Sequence, residues 1–228
     1  VTHVIKRHGG HVTVIKKSIV AAALLLLLWP VTIQADNGGI QPDWELGSSW
    51  EVTTRYQGQD HGTWSTSVVW RYTVVAVPGR ESTGYMLDVK MSHGGTGVTA
   101  QLLYREDYSL ERVTIIRAID GRKRQSSFTY DAGAPVMTSG SPFPFDTPLF
   151  PLVSPSKEIY ETNRHMADGL SYRVGIRQTV VHDTDDGDSL RVTCEASSGN
   201  SFRQCWVPGV PWPVEGENAA MKYELVEQ

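Results

Sequence analysis

The sequence is poor in what marks a catalytic or metal-binding chain. It contains no Gly-x-Ser-x-Gly elbow and no His-Glu-x-x-His pair, so the serine-hydrolase and zincin mechanisms have neither nucleophile nor ligand set. His61, His165 and His182 are scattered, without paired-ligand spacing. Cysteine occurs twice, at Cys194 and Cys205, which is too few and too widely spaced for a zinc site or a Cys-x-x-Cys redox motif. No two carboxylates stand at a spacing that assigns them as acid and base. Basic residues are outnumbered 21 to 25, for a net charge of −4. That argues against general nucleic-acid binding, which needs a basic surface. No metal, cofactor or catalytic residue is expected, and the chain reads as a non-enzyme.

Methionine is missing before Met86 and the chain opens at Val1. This reads as a GTG start decoded literally, a bacterial trait, with Val14 the better-placed start. Val14-Ile15-Lys16-Lys17 then forms a basic flank before the apolar run Ser18 to Trp29, with Thr32-Ile33-Gln34-Ala35 following. A basic flank, a short apolar core and a small residue at the cut describe a secretory signal peptide over residues 1–35. The run is shorter than the roughly 20 residues that span a bilayer, so no transmembrane segment is expected in residues 36–228. The exported part is expected in the periplasm or outside the cell. Loss of Lys6, Arg7, Lys16 and Lys17 would leave it at about −8.

Residues 36–228 are expected to form one β domain. From Thr66 to Tyr130 apolar residues alternate with polar ones, the period of a half-buried strand. Val68, Trp70, Tyr72 and Val74 share one parity, as do Leu87 and Val89, and Ala100 and Leu102. Turn signals separate the runs, among them Pro78-Gly79, His93-Gly94-Gly95 and Asp120-Gly121, the last a strong two-residue hairpin signal. Trp50 to Tyr56 opens the series, and Tyr172, Val174, Ile176 and Val180 resume it. Leu190 to Ala196, Phe202 to Val207 and Met221 to Leu225 complete it. Short connections make such strands antiparallel, and a long one-faced sheet must curl or be covered. The expected fold is all-β: an antiparallel meander curled into a half-barrel or barrel.

Two segments break the pattern. Residues 134–155 hold six prolines interleaved with Phe143, Phe145, Leu149, Phe150 and Leu152. Proline removes backbone donors and disfavours central strands, so a long apolar loop over the mouth or edge of the sheet is expected. Its phenylalanines either fill core space or form a lid. Ser156 to Met166, with Gly169 beyond it, reads as a short helix.

Centring a hairpin on Gly199-Asn200 places Cys194 opposite Cys205, and export favours oxidation, so a disulfide between them is expected. Three polar motifs have bland readings. His93 to Gly97 is a turn rather than an oxyanion loop. Asp183 to Asp188 is an acidic hairpin tip rather than a calcium loop. Arg122-Lys123-Arg124 is a solvated tip, with contact to an anionic surface as the alternative.

An exported antiparallel meander of this size, with an apolar concave face over Ser49 to Val207, resembles the periplasmic lipoprotein-carrier and outer-membrane lipoprotein-receptor superfamily. The resemblance implies a curled half-barrel around a lipid-binding cavity plugged by helices. Here Pro142 to Pro155 would have to replace those helices. The functional expectation is a non-enzymatic exported protein binding an apolar, acyl-chain or lipid-like ligand. Val68, Trp70, Tyr72, Leu87, Val89, Leu102, Tyr172, Val174 and Ile176 would line the site, with Phe143, Phe145 and Phe150 at its mouth. The alternative is an envelope protein-interaction or structural module with a filled core, docking through the Pro/Phe loop or the Trp206 to Pro213 corner.

Overall fold

The computed structural model describes residues 39–58, 60, 62–79, 84–93, 97–138, 141–166, 171–183 and 188–226, and of 162–166, 171 and 172 the backbone alone. The signal-peptide reading of residues 1–35, His61, the glycines at 94–95 and the acidic turn at 184–187 lie outside the described residues.

The described chain is all-β, with strands β1 (Ser49–Tyr56), β2 (Val68–Val75), β3 (Tyr85–Met91), β4 (Val98–Tyr104), β5 (Leu110–Ile119), β6 (Arg122–Tyr130), β7 (Ser156–Met166), β8 (Ser171–Asp183), β9 (Ser189–Ala196), β10 (Ser201–Trp206), β11 (Glu215–Asn218) and β12 (Met221–Leu225). Each pairs antiparallel with its sequence neighbours. The last returns to the first through Val52↔Leu225, Thr54↔Tyr223 and Tyr56↔Met221, and the meander closes into a barrel. Closure removes the sheet edges that an open meander would expose.

Alternation sets the two faces. Trp70, Tyr72, Val74, Leu87, Val89, Ala100, Leu102, Val113 and Ile115 point inward and are buried. The opposite parity carries charge: Arg71 Nη2 lies 2.8 Å from Glu51 Oε1, which also accepts from Ser92 Oγ at 2.6 Å. Asp88 meets Lys90 and Gln101 on the same face. A lipid-facing barrel requires the reverse, an apolar band outside. Among the described residues no helix is long and apolar enough to cross a membrane.

The structure corrects two expectations. Ser156 to Met166 is strand β7, not a helix. Its ladder runs from Ser156↔Val180 to His165↔Ser171, and ten cross-strand pairs outweigh a weak local preference, because strand formation is decided by neighbours. The disulfide is absent. The β9–β10 hairpin pairs Cys194 with Phe202 and Cys205 with Arg191, three residues away from the register that would oppose the cysteines. Cys194 is buried on the inward parity of Val192, whereas Cys205 shares the outward parity of Arg203. Both thiols are free.

Strand β11 has no sequence signature. Glu215-Gly216-Glu217-Asn218 lacks apolar alternation, and its fit comes from Gly216, where a Cβ would collide with the Tyr223 ring. Asp120 and Gly121 adopt φ of 50° and 71°, the left-handed pair of a two-residue hairpin turn.

Candidate functional site

The Pro/Phe loop runs through the barrel. Phe143 and Phe145 are buried in the main core cluster with Trp70, Tyr72, Leu87, Val89 and Leu102. Phe143 packs on Trp70 at 5.7 Å between ring centroids. The chain then returns toward the opposite end. Phe150 meets Trp206 at 5.2 Å, and Leu152 exchanges both backbone hydrogen bonds with Ile40.

A polar spine holds this plug. Tyr56 OH donates to Pro142 O, and Tyr72 OH donates to Pro144 O at 2.6 Å. Gln204 Nε2 donates to Asp146 O at 2.7 Å and to Tyr223 OH at 2.9 Å, while its Oε1 accepts from Trp206 Nε1. Gln178 pairs with both backbone groups of Leu149, at 2.8 and 3.2 Å. The physical logic is one of accounting, since buried backbone polar groups must find partners. Prolines 142, 144 and 148 carry no N–H to satisfy, and inward donors from the wall cap the carbonyls. Burial pushes the Tyr72 and Tyr223 hydroxyls well above their ordinary pKa, so they remain protonated.

Asp146 brings a carboxylate to the centre of this spine. Its carboxylate accepts from Thr138 N–H at 2.5 Å and from Asn218 Nδ2 at 2.9 Å. Burial raises its pKa to about 6, against the lowering effect of those bonds. A carboxylate titrating there suits acid–base work. Both oxygens are occupied, however, and the void it lines with Tyr104, Thr147 and Trp212 measures about 10 Å³, room for one water at most. Its work here is to hold the loop.

The structure thus gathers Val68, Trp70, Tyr72, Leu87, Val89, Leu102, Phe143 and Phe145 into one cluster, and Phe150, Val174 and Ile176 into a second. The side chain of Tyr172 lies outside what is described. Phe143 and Phe145 fill the lumen rather than stand at its mouth, Phe150 is half-buried, and Trp206 and Trp212 of the aromatic corner are 2 % exposed, turned inward. Sequence reasoning missed Asp146, Gln178 and Gln204. The signal was present: Gln178 shares the inward parity of Ile176 and Val180, and Gln204 that of Phe202 and Trp206.

An open pocket of about 850 Å³ lies at the end of the barrel marked by Trp50. Trp50 is its buried base, Val210, Pro211, Val214 and Leu225 its half-buried walls, and Asp43 and Glu45 its exposed carboxylates. The walls are pinned. Trp44 Nε1 donates to Pro211 O at 2.7 Å, Leu225 N to Val214 O at 3.0 Å, and Val226 N to Glu51 O at 2.9 Å. The buried Trp50 Nε1 has no hydrogen-bond partner, a costly state for a donor out of water. Among the described residues no group of three His, Cys, Asp or Glu side chains is placed to hold a metal ion. Comparison with known protein families, with characterised proteins and with solved structures returned no match.

Proposed function

We propose that this chain is an exported, non-enzymatic binding protein for an apolar, lipid-like ligand, seated in the Trp50 pocket rather than in the plugged lumen. The observation that carries this reading is the pocket itself. Its volume of about 850 Å³ falls within the range of small-molecule sites, and its lining sets Trp50, Val210, Pro211, Val214 and Leu225 beside Asp43, Glu45, Ser48 and Ser49. Trp50, buried against Trp44, Tyr72 and Trp212, gives the pocket a rigid base. Among the described residues the charged members of the lining are Asp43 and Glu45, and they favour a neutral or cationic head over an anionic one.

Export rests on the N-terminal pattern of a basic flank and short apolar core. The resemblance to the lipoprotein-carrier superfamily supports an envelope location and a ligand with an acyl chain. Periplasmic fractionation of the expressed chain tests the first point.

Calorimetric titration with dodecylamine and with dodecanoate tests the ligand class. Saturable binding of the amine, weaker binding of the carboxylate, and several-fold loss in Trp50→Phe are expected. No heat with either probe, together with a ligand-free mass on purification without detergent, overturns the reading. The filled lumen would then favour the second one, a module that binds an envelope protein through its outer wall.

A further inference from the structure

The β5–β6 hairpin stands apart from the rest of the wall. Strand β4 accompanies β5 only to Val98↔Arg117, with one more bond from Ala118 N to Gly97 O at 2.6 Å. On the other side the described residues of β7 meet β6 at Phe128, Thr129 and Tyr130. The six residues Arg122 to Ser127 therefore present roughly 20 Å of strand edge that no described strand covers.

This ribbon is strongly basic on an acidic protein. Between Arg117 and Arg124 lie Arg117, Arg122, Lys123 and Arg124 against the single acid Asp120, while the whole chain carries −4. All four cations are exposed. Elsewhere on the wall the cations Arg71, Lys90, Arg173, Arg191, Arg203 and Lys222 have carboxylate partners, while Arg55, Arg112, Lys157 and Arg177 stand singly without one among the described residues; only in the ribbon do several such cations cluster. Those of the ribbon have none among the described residues. Arg117 faces Arg124 directly across the strands, an arrangement that destabilises a hairpin unless an anion lies between. Ile119, 41 % exposed, pairs with Arg122 on the same face.

We propose that this ribbon docks on an anionic phospholipid surface, with Arg117, Arg122 and Arg124 on the headgroups and Ile119 dipping among them. An apolar residue set among cations at a narrow tip fits a planar interface of charged heads over apolar chains. A nucleic acid needs a longer basic track to follow its backbone, and the wall beside the ribbon mixes acids with bases along β2 to β5.

Vesicle co-sedimentation of the full chain tests this, using phosphatidylcholine with and without phosphatidylglycerol. The apolar N-terminal run contributes to both compositions, and Lys16 and Lys17 are retained in every variant, so differences between variants report the ribbon. Wild type should bind the anionic vesicles more tightly, and added salt should abolish the excess. With about fivefold in affinity per cation, R122A/K123A/R124A should lose on the order of 100-fold. I119S should lose severalfold while keeping the salt response. Equal binding to the two compositions, or a triple variant that binds as wild type does, overturns the proposal. So does tighter binding of a single-stranded oligonucleotide than of anionic vesicles, lost in the triple variant. Should the triple variant fail to fold, a wild type without a salt-sensitive excess is decisive by itself.

Discussion

At the scale of single residues, Asp146 controls the balance between plug and wall. Its folded pKa of about 6 stands above the ordinary 3.8, so the folded state holds the proton more tightly than the unfolded one. The resulting stabilisation is complete below pH 3.8, is lost as pH rises through 6, and amounts to roughly 3 kcal/mol. Asp146→Asn should therefore flatten the dependence. The difference in urea midpoint between wild type and variant should favour wild type increasingly as pH falls from 7 to 4.5. Parallel midpoints across that range would show that Asp146 does not titrate in the lumen. The cysteines give a second outcome. The native mass should show no loss of two hydrogens. An aqueous thiol reagent should label half-buried Cys205 first and Cys194 only on unfolding, since burial shields Cys194 and pushes its pKa well up.

At the scale of elements, the plug is as much part of the core as any strand. Phe143 is fully buried, and Phe143→Ala should cost about 3–5 kcal/mol, as for other buried aromatic deletions, measurable as a lowered urea midpoint. Tyr72→Phe removes the hydroxyl that caps Pro144 O and should cost about 1 kcal/mol. A plug that merely rests in the barrel would leave both variants near wild type. The expected helix at 156–166 shows where reading by element stops. Lys157, Glu158, Ile159, Tyr160 and Glu161 satisfy a helical and an extended pattern about equally. The ladder with β8 decides between them, and that partner cannot be seen from the segment itself.

At the scale of the molecule, closure depends on β12, whose five pairs with β1 join the two ends of the barrel. Truncation after Ala220 should leave one edge of β1 and one edge of β11 unpaired and abolish cooperative unfolding. Among the described residues the β6–β7 seam, like β11–β12, holds three residue pairs. Amides of Phe128 to Tyr130 should exchange with solvent before those of the β2–β3–β4 wall.

Inward parity was legible in residues 68–115 and 190–206 because a half-buried strand must alternate, whatever it pairs with. The turn at Asp120-Gly121 was legible because few sequences tolerate two left-handed residues in succession. The sequence by itself therefore determined an all-β meander, its apolar face, and a proline-rich segment barred from the sheet. Only the tertiary structure decided that the barrel closes, that this segment enters the lumen, and that Cys194 and Cys205 lie on opposite faces. Closure, register and burial of the loop all depend on groups distant in the chain: Gln204 and Tyr223 for Asp146, Leu225 for Val52, Phe202 for Cys194. Local pattern fixes which way a side chain points, and only the packed fold fixes what it meets there.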